Sequence, residues 1–113
     1  MSGRVLPDTH RIAALNDHAR QTFTDFRVCI TPGIQELGDE VLHTILLAVQ
    51  QFETFTPDND PFEEHDFGKI DVGNHVIFWK FDYYDLDLSM HSPDPSDPTV
   101  TARVLTVMLA DEY

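Results

Sequence analysis

The sequence predicts an α+β fold, with three helices packed on a small antiparallel sheet of three to four strands. Three observations support this fold class: an apolar stripe with helical spacing over residues 39–52, alternating apolar residues around a two-residue turn within 67–84, and short connections between successive strands. The length of 113 residues, of which 42% are hydrophobic, suits one core. We therefore expect a single domain over residues 1–113, in which residues 1–8 are flexible.

The first half of the chain is expected to hold two helices and one strand. The first helix covers residues 9–23 and carries Arg20 on its outer face. Its core side consists of Ile12, Leu15, Ala19 and Phe23. A short strand follows at 27–31, in which we expect Cys29 to be a buried structural thiol, since free cysteine is among the most buried residue types. Pro32-Gly33 breaks the chain, and the most apolar helix then covers 39–52.

The middle of the chain is expected to be a loop followed by a β-meander. Residues 54–64 are rich in proline and acidic residues, which is typical of a loop. Strands over 67–72 and 76–84 flank Gly73-Asn74, a hairpin turn signal. A further short strand is expected around 86–90.

The end of the chain is expected to form the third helix. Residues 92–98 hold three prolines and predict an extended connection. Asp97 offers an N-cap, and Pro98 suits the first helical position. The helix would end near Ala110. Its core side would consist of Val100, Val104, Val107 and Met108.

The charge is strongly negative and unevenly distributed. Twenty acidic residues against seven basic ones give a net charge of −13. Residues 28–68 hold nine acids and no Lys or Arg, and residues 81–102 hold five acids and no base, whereas residues 1–27 carry a net charge of +1. Such a chain repels nucleic acid and anionic membranes, because both are bound through Lys and Arg. It favours a basic protein surface as a partner, including one that handles nucleic acid.

The sequence predicts a soluble, cytoplasmic protein. Residues 1–7 lack the apolar region of a signal peptide, and the longest apolar stretch, 44–49, is far too short to span a bilayer. A single cysteine excludes an internal disulfide, which fits a reducing compartment. The oligomeric state is left open.

The loop over residues 56–66 is the densest polar cluster and the first place to look for chemistry. A carboxylate beside an imidazole orients the ring and sets its tautomer, as hydrolytic sites require. If the protein is an enzyme, its candidate catalytic residues are therefore His65, Glu64, Asp66 and Asp82.

No metal or cofactor is expected. A calcium loop starting at Asp58 would need Gly at its sixth position and Glu at its twelfth, where Glu63 and Lys69 stand. Histidine and cysteine do not recur at zinc-binding spacings. A phosphate-binding glycine loop is also missing.

Protein contact is the competing use of the same polar residues. Aromatic side chains set among acids make good contacts, because they offer a large rigid surface with a polar tip. Trp79 and Phe81 share one face of a strand and are expected in the core, which leaves Tyr84 as the aromatic contact. The predicted binding residues are Asp58, Asp60, Glu63, Glu64, Tyr84, Asp85 and Asp87.

Several segments together resemble a small bacterial family of domains of unknown function. They are FTPDNDP at 55–61, EHDFG at 64–68, DYYD at 82–85, SPDP at 92–95 and VLTVML at 104–109. The resemblance runs from about Arg11 to Tyr113 and implies a proteobacterial protein encoded on chromosomes, plasmids or other mobile elements. It implies no activity.

Charge and resemblance together favour a non-enzymatic acidic interaction or inhibitor domain. One form would mimic nucleic acid and act against host defence, as an anti-restriction or anti-CRISPR protein. A small hydrolytic or metal-dependent enzyme using the 56–66 loop is the first alternative. A dimeric regulatory subunit, paired through a sheet edge or an apolar patch around Tyr83 and Tyr84, is the second.

Overall fold

The computed structural model describes residues 5–24 and 26–113, with side chains from residue 8 onward. Its elements follow in chain order: α1 (Val5–Thr22), β1 (Arg27–Ile30), α2 (Pro32–Gln35), α3 (Asp39–Gln51), β2 (Phe67–Val72), β3 (His75–Tyr84), β4 (Ala102–Leu109) and a closing 3₁₀ turn (Ala110–Glu112). Three helices and a four-stranded sheet confirm the predicted α+β class. Of the segment expected to be flexible, residues 1–4 lie outside the described residues and residues 5–8 belong to α1.

The strands form one sheet in the order β1-β4-β3-β2. β3 is antiparallel to both of its neighbours, and the β2–β3 pair closes through the Gly73-Asn74 turn, as predicted. β1 pairs parallel to β4, so the sheet is mixed, whereas a wholly antiparallel sheet was expected. This is possible because the connection from β1 to β4 contains most of the chain, and a connection of that length imposes no direction on the pair.

The predicted third helix over residues 98–110 is wrong, because this segment contains strand β4. Asp97 caps a turn and not a helix: its Oδ1 accepts hydrogen bonds from the backbone N and Oγ1 of Thr99, at 2.9 and 2.6 Å. β4 lies between β1 and β3, and it has apolar residues on both of its faces. Apolar residues on both faces of a strand can occur at the three- and four-residue spacing that is typical of a helix. The two valines and the threonine of β4 favour a strand.

Residues 86–90, expected to form a short strand, instead form a turn after β3. The segment is closed by an isolated bridge between Tyr84 and His91. Within the described residues, none of the helices has the combination of length and apolar character needed to cross a membrane.

The main core lies between the helices and one face of the sheet. Trp79 and Phe81 are buried there, as predicted, against Ile45 and Val49 of α3. Two predictions of burial are wrong. Cys29 is exposed, because it lies on an edge strand, and Arg20 is buried although it was expected on the outer face of α1.

Candidate functional site

The two acidic loops of the chain lie at the same end of the sheet. Phe67, where β2 begins, pairs with Lys80, four residues before the end of β3, and Tyr84 at the end of β3 pairs with Ala102 at the start of β4. The loops 52–66 and 85–101 therefore leave the sheet side by side, and we call them together the acidic end. They contain half of the twenty carboxylates and no Lys or Arg. These carboxylates are Glu53, Asp58, Asp60, Glu63, Glu64, Asp66, Asp85, Asp87, Asp94 and Asp97.

A buried polar network joins the two loops. The Arg103 guanidinium on β4 donates to the carbonyl oxygen of Pro95 in the second loop and to Oδ1 of Asn16 at 2.9 Å. Asn16 in turn donates to the carbonyl oxygen of Glu64 in the first loop at 3.0 Å and to the Tyr83 hydroxyl at 2.8 Å. One buried cation is thus placed between two anionic loops, where it offsets part of their mutual repulsion.

The carboxylates of the first loop affect one another. The Tyr83 hydroxyl donates to Glu64 Oε1 at 3.1 Å, and burial raises the pKa of this phenol. The pKa of half-buried Asp66 is also raised, first by burial and then by the neighbouring charges of Glu64, Asp60 and Asp82. The neighbouring carboxylates therefore add to the effect of burial on Asp66.

Asp60 holds the shape of the first loop from the inside. It is 4% exposed, and its carboxylate accepts the backbone N–H groups of Glu64 and His65 at 3.1 and 3.2 Å. These bonds support two left-handed residues, Glu63 with φ 58° and His65 with φ 56°, which non-glycine residues seldom adopt. Asp60 is therefore a structural carboxylate, and a partner cannot contact it without moving the loop.

His65 lies between two carboxylates. Its Nδ1 is 2.9 Å from both oxygens of Asp17 on α1, so Nδ1 carries the proton, since a carboxylate only accepts. Its Nε2 is 3.7 Å from Oδ2 of Asp60, and its ring stacks on Phe55 at 3.9 Å. The imidazole forms one wall of a cavity of about 280 Å³, lined also by Thr56, Pro57, Pro61 and Glu63.

Arg20 fixes the position of this histidine from the core. It is 1% exposed, and its Nη2 donates to Asp17 Oδ1 at 3.2 Å, so that Asp17 bridges Arg20 and His65. Its Nη1 donates to the carbonyl oxygens of Val49 and Gln50 in the last turn of α3, at 2.8 and 3.2 Å. The cation thus caps the negative end of α3 and also holds the partner of His65.

Three of the predicted catalytic residues lie near one another, since the charges of Glu64 and Asp82 both act on Asp66. Asp82 accepts from Lys80 Nζ at 2.7 Å on β3, whereas His65 pairs with Asp17, a residue that the sequence did not single out. Glu64 Oε1 accepts a hydrogen bond from the Tyr83 hydroxyl. The side chains of the described residues also form no cluster of three or more potential metal ligands.

The predicted binding residues differ in their exposure. Those exposed at the surface are Asp58, Glu63, Tyr84 and Asp87, while Glu64 and Asp85 are half-buried and Asp60 is buried. Sequence reasoning missed Asn16, Arg20 and Arg103. Asn16 and Arg20 continue the four-residue spacing of Ile12 on α1, which is the signal that could have placed them on the core side.

The chain belongs to the DUF3768 family, described as proteins of unknown function, whose model matches residues 30–112. The match includes both loops of the acidic end, while α1, with Asn16 and Arg20, precedes it. Neither the curated proteins nor the solved structures gave a match.

Proposed function

We propose that this chain is a non-enzymatic interaction domain whose acidic end binds a basic surface on a partner protein. The observation that carries the proposal is the meeting of two loops without Lys or Arg at one end of the sheet, joined through Arg103 and Asn16. The pKa of Asp66 is raised first by burial and then by the charges of Glu64, Asp60 and Asp82, and an incoming cation would offset the second effect.

The surface at this end carries exposed carboxylates that can contact a partner. Asp58, Glu63 and Asp87 are exposed, and Tyr84 offers an aromatic ring beside them. Two of the basic side chains nearby are engaged, since Lys80 pairs with Asp82 and Arg103 is buried, while Arg11 acts on Asp97 and exposed Arg27 lies beside the start of β4. A basic partner is therefore attracted to this end of the domain.

A narrower form of the proposal is an inhibitor that occupies the nucleic-acid site of its target. Duplex DNA carries roughly one charge per 1.7 Å of axis, and a protein that binds it presents clustered Lys and Arg. Five exposed carboxylates at one end offer such a surface an alternative polyanion, namely Glu53, Asp58, Glu63, Asp87 and Asp94. An anti-restriction or anti-CRISPR activity is the biological role that this form predicts.

The first test compares two sets of neutralising substitutions with equal charge change. One variant carries E53Q, D58N, E63Q and D87N at the acidic end; the control carries E36Q, E40Q, D71N and D111N, all exposed and at or near the other end of the sheet. Binding of labelled poly-L-lysine is measured by fluorescence anisotropy over a salt series. At about 0.5 kcal/mol per exposed ion pair, the acidic-end variant should bind roughly 10- to 100-fold more weakly at low salt.

The control variant should lose less than about threefold in affinity, since it leaves the acidic end intact. Equal losses in the two variants would mean that net charge alone drives binding, and the proposal would be wrong. The inhibitor form has its own test, in which the chain must displace a labelled DNA duplex from poly-L-lysine. Binding to the peptide without displacement would refute that form.

Hydrolysis at the cavity beside His65 is a second candidate, favoured by the oriented Asp17–His65 pair. Against it stands Asp60, which faces Nε2, the nitrogen that would accept a proton from a nucleophile or water. Its test is turnover of p-nitrophenyl esters and phosphates by the wild type and H65Q. Turnover that H65Q abolishes would support an enzyme, and equal rates in both would exclude His65 as its base.

A further inference from the structure

The turn after β3, within the acidic end, presents large apolar side chains to solvent. Leu86, Leu88 and Met90 are 61%, 41% and 71% exposed, although they lie within five residues. Single exposed apolar residues are common on protein surfaces, but a contiguous group typically marks a contact site. We call residues 86–90 the apolar tip.

The tip is held in one conformation by its own hydrogen bonds. The Asp85 carboxylate accepts the backbone N–H of Ser89 at 3.0 Å and of Met90 at 3.4 Å. The Asp85 carbonyl oxygen accepts from Leu88 N at 2.9 Å, and Asp85 N donates to the Met90 carbonyl oxygen at 2.8 Å. Leu88 has a φ of 61°, which is costly for a branched side chain and persists because these bonds impose it.

Such a turn is already in a conformation suited to binding. A flexible loop loses conformational freedom when it docks, and a preformed loop avoids most of that cost. The tip therefore combines exposed apolar area with a fixed backbone, as is typical of the anchor residues at the centre of an interface.

We propose that the apolar tip inserts into an apolar pocket, ringed by Lys or Arg, on the partner that the acidic end recognises. The proposal rests on the proposed function and adds the shape and chemistry of the partner's site. Charge complementarity supports it, because Asp85 and Asp87 lie beside the apolar side chains and residues 81–102 carry no base. The same carboxylates disfavour an anionic membrane, and in a pair of tips from two copies they would repel each other.

An apolar anchor also changes how binding responds to salt. Exposed ion pairs are screened over about 8 Å at physiological ionic strength, whereas burial of apolar area is not weakened by salt. The tip would therefore give the complex a component that persists at high salt, which a purely electrostatic contact lacks.

The experiment uses a small host that has the proposed features. An amino-substituted β-cyclodextrin offers an apolar cavity rimmed with ammonium groups, neutral β-cyclodextrin offers the cavity alone, and spermine offers charge alone. Binding to the full chain is measured by calorimetry, and the binding site is mapped by NMR on the methyl groups. The amino host should bind about tenfold more tightly than either control and shift the methyl signals of Leu86, Leu88 and Met90.

Matched variants separate the tip from other apolar surface. L86S/M90S should reduce the affinity for the amino host to that for spermine, while L47S/V76S, which removes two residues 41% and 38% exposed elsewhere, should leave it unchanged. An amino host that binds L86S/M90S as tightly as wild type would overturn the proposal. Self-association in sedimentation that L86S/M90S removes would also overturn it, since a second copy would then be the occupant.

The two proposals fail differently. If the acidic end is correct and the tip is not, L86S/M90S will bind both poly-L-lysine and the amino host like wild type. If the acidic end itself is wrong, the neutralised variant E53Q/D58N/E63Q/D87N will bind poly-L-lysine no more weakly than its charge-matched control.

Discussion

Replacing Arg20 by methionine should destabilise the domain by about 3 kcal/mol. Methionine keeps most of the apolar stem, so the principal loss is the guanidinium and its bonds to Val49, Gln50 and Asp17. A buried carbonyl oxygen that loses its donor costs roughly 1–3 kcal/mol. The Val49 carbonyl oxygen keeps a weak 3.4 Å hydrogen bond from Phe52 N, and Asp17 is partly exposed and keeps its contact with His65. The total loss of stability should therefore fall near the lower end of the range that these costs add up to.

The assay is urea unfolding followed by fluorescence of Trp79, which is the sole tryptophan and is buried. A domain of this size is stable by about 5–15 kcal/mol, so the midpoint should fall clearly, and the melting temperature should drop by roughly 12 °C or more. R11M is the control, because Arg11 is exposed on the same helix and its removal should change stability by less than about 0.5 kcal/mol. A loss below about 1 kcal/mol in R20M would refute the role of Arg20 as the buried cap of α3.

Four further predictions concern other parts of the chain. G68A should lower the free energy of unfolding by about 2–3 kcal/mol, because the new Cβ would lie 2.3 Å from the indole nitrogen of buried Trp79. G73A should lower it by only about 1 kcal/mol, because Gly73 has a left-handed φ of 60° but open space around it. Equal losses for the two variants in urea unfolding would contradict this prediction. Hydrogen bonds lower the pKa of Glu112, so the stability that its carboxylate adds is present above the unfolded pKa of about 4.5 and is lost as the pH falls through the folded value. E112Q should therefore make the melting temperature less dependent on pH over that acid range. The effect of Asp66 on stability has the opposite pH dependence, since its raised pKa makes ionisation unfavourable in the folded state as the pH rises above about 3.8. D66N should therefore raise the melting temperature at pH 7 and leave it unchanged well below pH 3.8. Exposed Cys29 should react fully with a thiol reagent in the native protein, and protection until urea is added would contradict its placement.

The elements predicted correctly are those that depend on residues close together in the sequence. Helix α3 was predicted to within one residue because its apolar stripe is continuous, and the β2–β3 hairpin was predicted because Gly73-Asn74 fixes the turn. β4 was mistaken for a helix because a central strand carries apolar residues on both faces, so that its period of two is obscured. β1 is far from β4 in the sequence, and β3 is joined to β4 by the long loop 85–101. No local pattern in the sequence therefore predicts that either strand pairs with β4.

The candidate site could be predicted in composition but not in contacts. The 56–66 loop and its carboxylates were identified, yet the partner of His65 is Asp17, which lies 48 residues away in the chain. Arg20 was assigned to the outer face because the predicted apolar stripe of the first helix consists of Ile12, Leu15, Ala19 and Phe23. Its burial depends on carbonyl groups at the end of α3, which only the folded chain brings within reach.

The net charge of the sequence understates how acidic the surface is. Among the described basic residues, Arg20 and Arg103 are buried and Lys80 is held by Asp82, which leaves Arg11, Arg27 and Lys69 as exposed cations. The buried arginines also hold the acidic loops in place, one through Asp17 and His65 and the other through Asn16 and Pro95. The same residues that remove positive charge from the surface therefore bring the negative charge together, and this coupling explains how a domain with a net charge of −13 folds around a concentrated acidic end.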